Sequence, residues 1–186
     1  MIDTPGYSEF FADVPYAMKV ADAALLLVDA QAGVEIHTIK CYDTARKMDL
    51  PVVGVISKMN KEHANFAAAV ESMNKMLKGC EAVAVQIPVG TGAGFQGVVD
   101  VVAQKAFVGT GKELKAADVP ADLADDLAAA REALIDAVAA TDDELTEKYL
   151  EAGELSQTEL ANGLANAVAN GLLVPVVCTD GFDTKG

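Results

Sequence analysis

Cysteine and histidine are scarce in this chain of 186 residues. Cys41, Cys80 and Cys178 are odd in number, far apart and never in a Cys-x-x-Cys pair, and only His37 and His63 could join them. That excludes a zinc site of ordinary spacing and leaves free, buried thiols as the expectation. Long apolar runs are missing too. The longest, Ala23 to Val28, is far short of the roughly 20 residues a membrane span needs, and no basic stretch leads into an apolar one at the N-terminus. A cytoplasmic protein with no membrane contact is the expectation. Basic charge is also short: 14 Lys and Arg against 28 Asp and Glu, for a net charge of −14. This argues against direct, nonspecific binding of nucleic acid. Repeats and low-complexity tracts are absent.

What is present is a hydrophobic content of 52%, enough for a packed core, in one domain or a domain carrying an inserted subdomain. Ala24 to Val28, ending at Asp29, reads as a strand buried on both faces, and Val52 to Ile56 as a second. Between them Ile36 to Met48 has helical spacing. Asn65 can cap a helix through Leu77 that Gly79 ends. Strand–helix–strand–helix order is the pattern of an open parallel α/β sheet.

From Ala82 the texture changes. Ala82–Pro88, Gly97–Val102 and Lys105–Val108 read as short strands with glycine-rich turns. Ala121–Ala139 and Asp142–Glu151 read as acidic helices, and Ser156 with Glu159 as the capping box of a third. Leu173–Cys178 restores the buried-strand pattern. A different block enclosed by two α/β pieces suggests an insertion rather than two tandem domains. Charge concentrates there: thirteen acidic residues between Asp118 and Glu159 face only Arg131 and Lys148, a balance of −11. Either the helices present a solvated face, or residues such as Asp125, Asp126, Glu132 and Asp136 dock a basic partner.

Three short motifs carry chemistry. Ile2-Asp3-Thr4-Pro5-Gly6 reads as a strand end followed by Asp-x-x-Gly, in which phosphate-binding GTPases use the carboxylate toward magnesium, often through water, and the glycine amide toward the γ-phosphate. Asp29-Ala30-Gln31-Ala32-Gly33-Val34 and Ser57-Lys58-Met59-Asn60 close the next two strands at their carboxyl ends, where ligands bind in such sheets. Gly109-Thr110-Gly111-Lys112-Glu113 is a decoy for a phosphate loop: Ala106 stands where the first glycine belongs and Glu113 replaces Ser/Thr. A hairpin turn is its better reading.

The run from Asp3-Thr4-Pro5-Gly6 to Asn65-Phe66 resembles elongation factor G, as do Gln86–Gly90, Phe95–Asp100, Asp142–Leu145, Glu147–Glu151 and Val174–Cys178. The resemblance covers essentially the whole chain, in order. It implies a partial P-loop GTPase-type parallel sheet flanked by helices, built from 1–78 and 172–186 and carrying over 79–171 the inserted α+β subdomain that distinguishes this factor. It also implies GTP and Mg2+ as ligands of an intact parent, and the ribosome and its stalk protein as partners. Asp3, Gly6, Ser57, Lys58, Asn60, Asp180 and Gly181 fall on nucleotide-binding positions, with Asp3 also on the magnesium. The family's Gly-x-x-x-x-Gly-Lys-[Ser/Thr] loop and its first switch do not occur in these residues, so a polypeptide of this sequence alone is expected not to hold GTP tightly or hydrolyse it. The run Ala24–Val28 is expected near a raw sheet edge, prone to self-association.

Three positions depart from the family. Tyr7 replaces the water-positioning histidine, and a phenol with a pKa of about 10 cannot act as imidazole does near neutrality. Asn60 replaces the aspartate that accepts two hydrogen bonds from guanine, a loss of about 1–3 kcal/mol. Asp180-Gly181 replaces Ser-Ala. A GTP-hydrolysing factor, a noncatalytic paralogue that binds ribosomes, and a stand-alone acidic interaction module all remain open at this point.

Overall fold

Runs of branched aliphatic residues form the strands and the helically spaced segments form the helices. The order is α1 (Asp13–Met18), β1 (Ala24–Asp29), α2 (Ile36–Lys47), β2 (Val52–Ser57), α3 (Phe66–Met76), β3 (Glu81–Ala84), β4 (Gln86–Val89), β5 (Gly97–Asp100), β6 (Lys105–Val108), β7 (Lys115–Ala117), α4 (Ala124–Ala139), α5 (Asp143–Ala152), α6 (Gln157–Ala169) and β8 (Leu173–Cys178). The computed structural model describes residues 1–182 and 184–186, and at Lys112 the backbone only. Caps fix the helix starts. Asn65 Oδ1 accepts the Ala68 N–H at 3.0 Å, Asp142 Oδ1 accepts those of Glu144 and Leu145, and Ser156 and Glu159 form a reciprocal capping box.

The fold is α/β. One sheet is parallel, in the order β1-β2-β8-β3, and a second is antiparallel, in the order β4-β5-β6-β7. The last strand in sequence therefore sits inside the first sheet, between β2 and β3. One core is gathered around Ile56, Met59, Met73 and Val176, and a second around Val99, Leu134, Val138 and Leu160. Tyr42 is buried at 1% exposure, and its hydroxyl donates to Lys78 O at 3.1 Å and to Cys80 Sγ at 2.7 Å. All three cysteines are free. Cys178 is buried, its thiol pushed up to about 12 by desolvation, whereas Cys41 and Cys80 are only half-buried.

Several expectations need correction. β1 is not buried on both faces: Leu26 and Val28 point into the core, while Leu25 and Leu27 are 56% and 62% exposed. β1 is an edge strand of this sheet, as expected, and α2 packs on the side of Leu26 and Val28, whose core Tyr42 and Ala45 share. Residues 1–6 form no strand. The single strand expected over 82–88 is two, parted at Val85. Its N–H donates to Val176 O in the first sheet, and its carbonyl accepts the Val101 N–H at the end of the second, both at 3.0 Å. β3 thus lies within the 79–171 block and pairs with β8. The decoy segment is a hairpin loop, as expected, but the strand that answers β6, namely β7, was not foreseen.

Candidate functional site

Parallel pairing brings the carboxyl ends of β1, β2 and β8 side by side. Asp29 and Ser57 are register partners, Ala30 N–H donates to Ser57 O at 3.0 Å, and Thr179 N–H donates to Ile56 O at 2.9 Å. Ser57 Oγ donates to Val28 O across the same pair. Beyond β2 the chain turns sharply. Lys58 takes a φ of +62°, a conformation that costs a residue with a side chain, while Met59 is driven fully into the core. The Met59 N–H then donates to Thr179 O at 3.3 Å, and its carbonyl accepts the Gly92 N–H at 3.0 Å. Ser57–Asn60 and Thr179–Gly181 are therefore one adjoining pair of turns, and the turn at Gly92 abuts them.

Electrostatics organise this end of the sheet. Lys58 Nζ lies 2.6 Å from Asp29 Oδ2, and Asp29 Oδ1 accepts the Gln31 and Ala32 N–H groups at 2.8 and 3.3 Å. Burial pushes the Asp29 carboxyl up, but Lys58 and the two amides more than offset it and hold the group below the usual range. The hydrogen bond to Asp29 raises Lys58 in turn. Asp29 opens one of the strand-end motifs read from the sequence, but its pairing with Lys58 was not; an aspartate closing one strand beside a lysine closing its neighbour was the signal for it. Asp180 is the one buried charged residue among the described residues, at 1% exposure. Its Oδ1 accepts the Phe182 N–H at 3.0 Å, and its Oδ2 is buried with no hydrogen-bond partner among the described residues. Its backbone pairs twice with Lys185. Gly181 has open space where a Cβ would stand.

The other candidate residues lie apart. Asp3, Gly6 and Tyr7 are exposed, Tyr7 at 74%, and among the described residues no hydrogen bond or ion pair joins their side chains to the Lys58 turn. Asp125, Asp126, Glu132 and Asp136 all stand on the solvent side of α4, opposite buried Leu127, Leu134 and Val138. The Asp136 carboxylate faces Tyr149 and raises that phenol. Arg131 turns inward and donates to the Val101 and Val102 carbonyls. No helix among the described residues is long and apolar enough to cross a membrane.

A flat base with N–H donors suits the paired turns: Asn60 and Asp180 offer acceptors, Lys58 has an aliphatic stem, and the orphaned Asp180 oxygen still needs a donor.

The elongation factor Tu GTP binding domain family matches residues 1–186. Over the whole chain the sequence is 38% identical to elongation factor G of Ureaplasma parvum serovar 3 and 37% identical to that of Ureaplasma urealyticum serovar 10. It spans about a quarter of their length, 27% in each case. A crystal structure of a protein from Thermus thermophilus superposes with a TM-score of 0.88 at 32% identity, covering 99% of this chain and 27% of that one. Matched from end to end in sequence and reproduced in a solved relative, the chain belongs to the elongation factor Tu GTP binding domain family.

Proposed function

We propose that these residues serve a translational GTPase of the elongation factor G type, in a protein of the relatives' length, as the part of its nucleotide domain that reads the base and carries the second switch. The observation that supports this most is the union of the Ser57–Asn60 and Thr179–Gly181 turns through the Met59–Thr179 hydrogen bond. GTP is the substrate in this reading. Lys58 covers the base with its stem, Asn60 and Asp180 face base donors, and Gly6 offers its amide to the terminal phosphate. Asp3 would help to hold Mg2+, which when bound would supply positive charge to offset that of the phosphates. Tyr7 takes, in sequence, the place of the family's water-positioning histidine. A phenol there hydrogen-bonds water without serving as a base near neutrality, which favours slow hydrolysis as the second reading.

The antiparallel sheet and α4 to α6 form the inserted unit, which in this reading starts at Val85 rather than Gly79, since β3 belongs to the first sheet. Its exposed acidic face docks a basic partner, with the ribosomal stalk protein as the candidate. Calorimetric titration of the intact protein with GTP and Mg2+, followed by hydrolysis assays with and without ribosomes, tests the reading. Micromolar or tighter GTP binding and ribosome stimulation support it. Binding without stimulation that Tyr7→His restores identifies the slow paralogue. Failure to bind GTP at all sinks both.

A further inference from the structure

The acidic charge that the family's base-reading motif places at position 60 is missing, yet a carboxylate stands in the adjoining turn. Asn60 and Asp180 each follow by one residue the two ends of the Met59–Thr179 hydrogen bond, so the two side chains belong to neighbouring turns at one site. Asp180 is buried at 1% exposure, with Oδ1 engaged by the Phe182 N–H and Oδ2 without a partner among the described residues. A buried carboxylate oxygen with no donor is costly and rare. The lysine of the neighbouring turn does not serve it, because Lys58 is held by Asp29 at 2.6 Å. Guanine carries two adjacent donors, N1–H and the 2-amino group, and Asn60 has only one acceptor, the other half of its amide being a donor.

We propose that Asp180 is a specificity-determining residue: its unpartnered Oδ2 accepts one N–H of the guanine edge, so that Asn60 and Asp180 together replace the single missing carboxylate. This rests on the nucleotide reading above and adds to it the residue that fixes the base.

The test is a set of equilibrium affinities in the intact protein for GTP, for ITP, which lacks the 2-amino group, and for ATP. Asp180→Asn is nearly isosteric and keeps an acceptor for the Phe182 N–H, but presents an amide where Oδ2 stood. It should weaken GTP binding by about tenfold or more. Asn60→Asp should restore most of that loss in the Asp180→Asn background, yet add little to the unsubstituted protein. A purely structural role for Asp180 predicts no such rescue. Unchanged GTP affinity in Asp180→Asn, with its melting temperature retained, overturns the assignment. So does an ATP preference that the substitution abolishes, because the donor would then be an adenine amine. Should the variant not fold, the unsubstituted protein still decides: it must bind GTP more tightly than ITP, and equal affinities refute two-acceptor reading. Absence of binding to all three nucleotides brings down the nucleotide reading as well, whereas GTP binding indifferent to position 180 brings down this inference alone.

Discussion

Gly54 and Met73 form the joint on which the candidate site is mounted, and substituting each separately and then together measures that joint. Gly54 lies mid-strand in β2, three residues before Ser57, and α3 lays Met73 across it. Met73 is fully buried, and a Cβ built on Gly54 would lie 2.6 Å from its Cε and 3.3 Å from Val176 Cγ2. Met73→Ala should cost about 2–5 kcal/mol, as transfer loss plus residual cavity. Gly54→Ala overpacks the same space and should cost about 1 kcal/mol, toward the low end because the thioether can swing aside. In the double variant the new methyl enters the space the thioether vacates, so the total should fall short of the sum by about 1 kcal/mol. Equilibrium urea unfolding with a common m-value reads all three. Additivity to within about 0.5 kcal/mol would refute the claim that the Met73 methyl fills the missing side chain of Gly54.

Ser156→Ala removes the cap of α6 and should lower stability by about 1 kcal/mol, read by thermal unfolding. Its capping-box partner Glu159 is held down to about 2 by the Ser156 hydrogen bond first and Lys148 next. That contribution is complete above the ordinary value of 4.5 and is lost as pH falls toward about 2, so Glu159→Gln should flatten the acid limb of the stability curve in that window. Asp29→Asn frees Lys58 and should cost about 1 kcal/mol, because the Lys58 side chain is 59% exposed and well solvated although Asp29 is half-buried, while moving the Lys58 ammonium resonance in NMR. Neutralising Asp125, Asp126, Glu132 and Asp136 together should leave melting nearly unchanged. It should also slow association with a basic partner most at low salt, and equal rates across a salt series would leave only a solvated face.

The first sheet was largely legible because parallel strands write themselves as aliphatic runs and the caps at Asn65, Asp142 and Ser156 are local signals. What escaped depended on partners distant in sequence. Leu25 and Leu27 read as buried although the edge position of β1 was expected, because a run of leucines does not record which of its two faces a helix covers. Val85 ends the apolar stretch Ala82–Val85, but a single polar residue, Gln86, before Ile87 does not mark a strand end, and only the two hydrogen bonds of Val85 to separate sheets reveal the break. β7, with Lys115, Ala116 and Ala117 all exposed, carries no alternation to find. At the site, the strand-end positions of Asp29, Lys58 and Asp180 were readable, but the burial of Asp180 and its empty Oδ2 were not. They arise where β8, more than a hundred residues downstream of β2, slots in beside it.

That slotting sets an order of assembly. Because β8 lies between β2 and β3, the first sheet keeps a vacancy at its centre until the final stretch of these residues has been synthesised, and β1–β2 and β3 cannot be joined before then. The second sheet makes no such demand: β4, β5, β6 and β7 pair as sequential antiparallel neighbours, the low-sequence-separation contacts that form fastest. The unit from Gln86 to α6 should therefore gain hydrogen-exchange protection first on refolding. The Lys58 and Asp180 turns should acquire theirs together and last, since the bond between Met59 and Thr179 can close only when the central strand arrives.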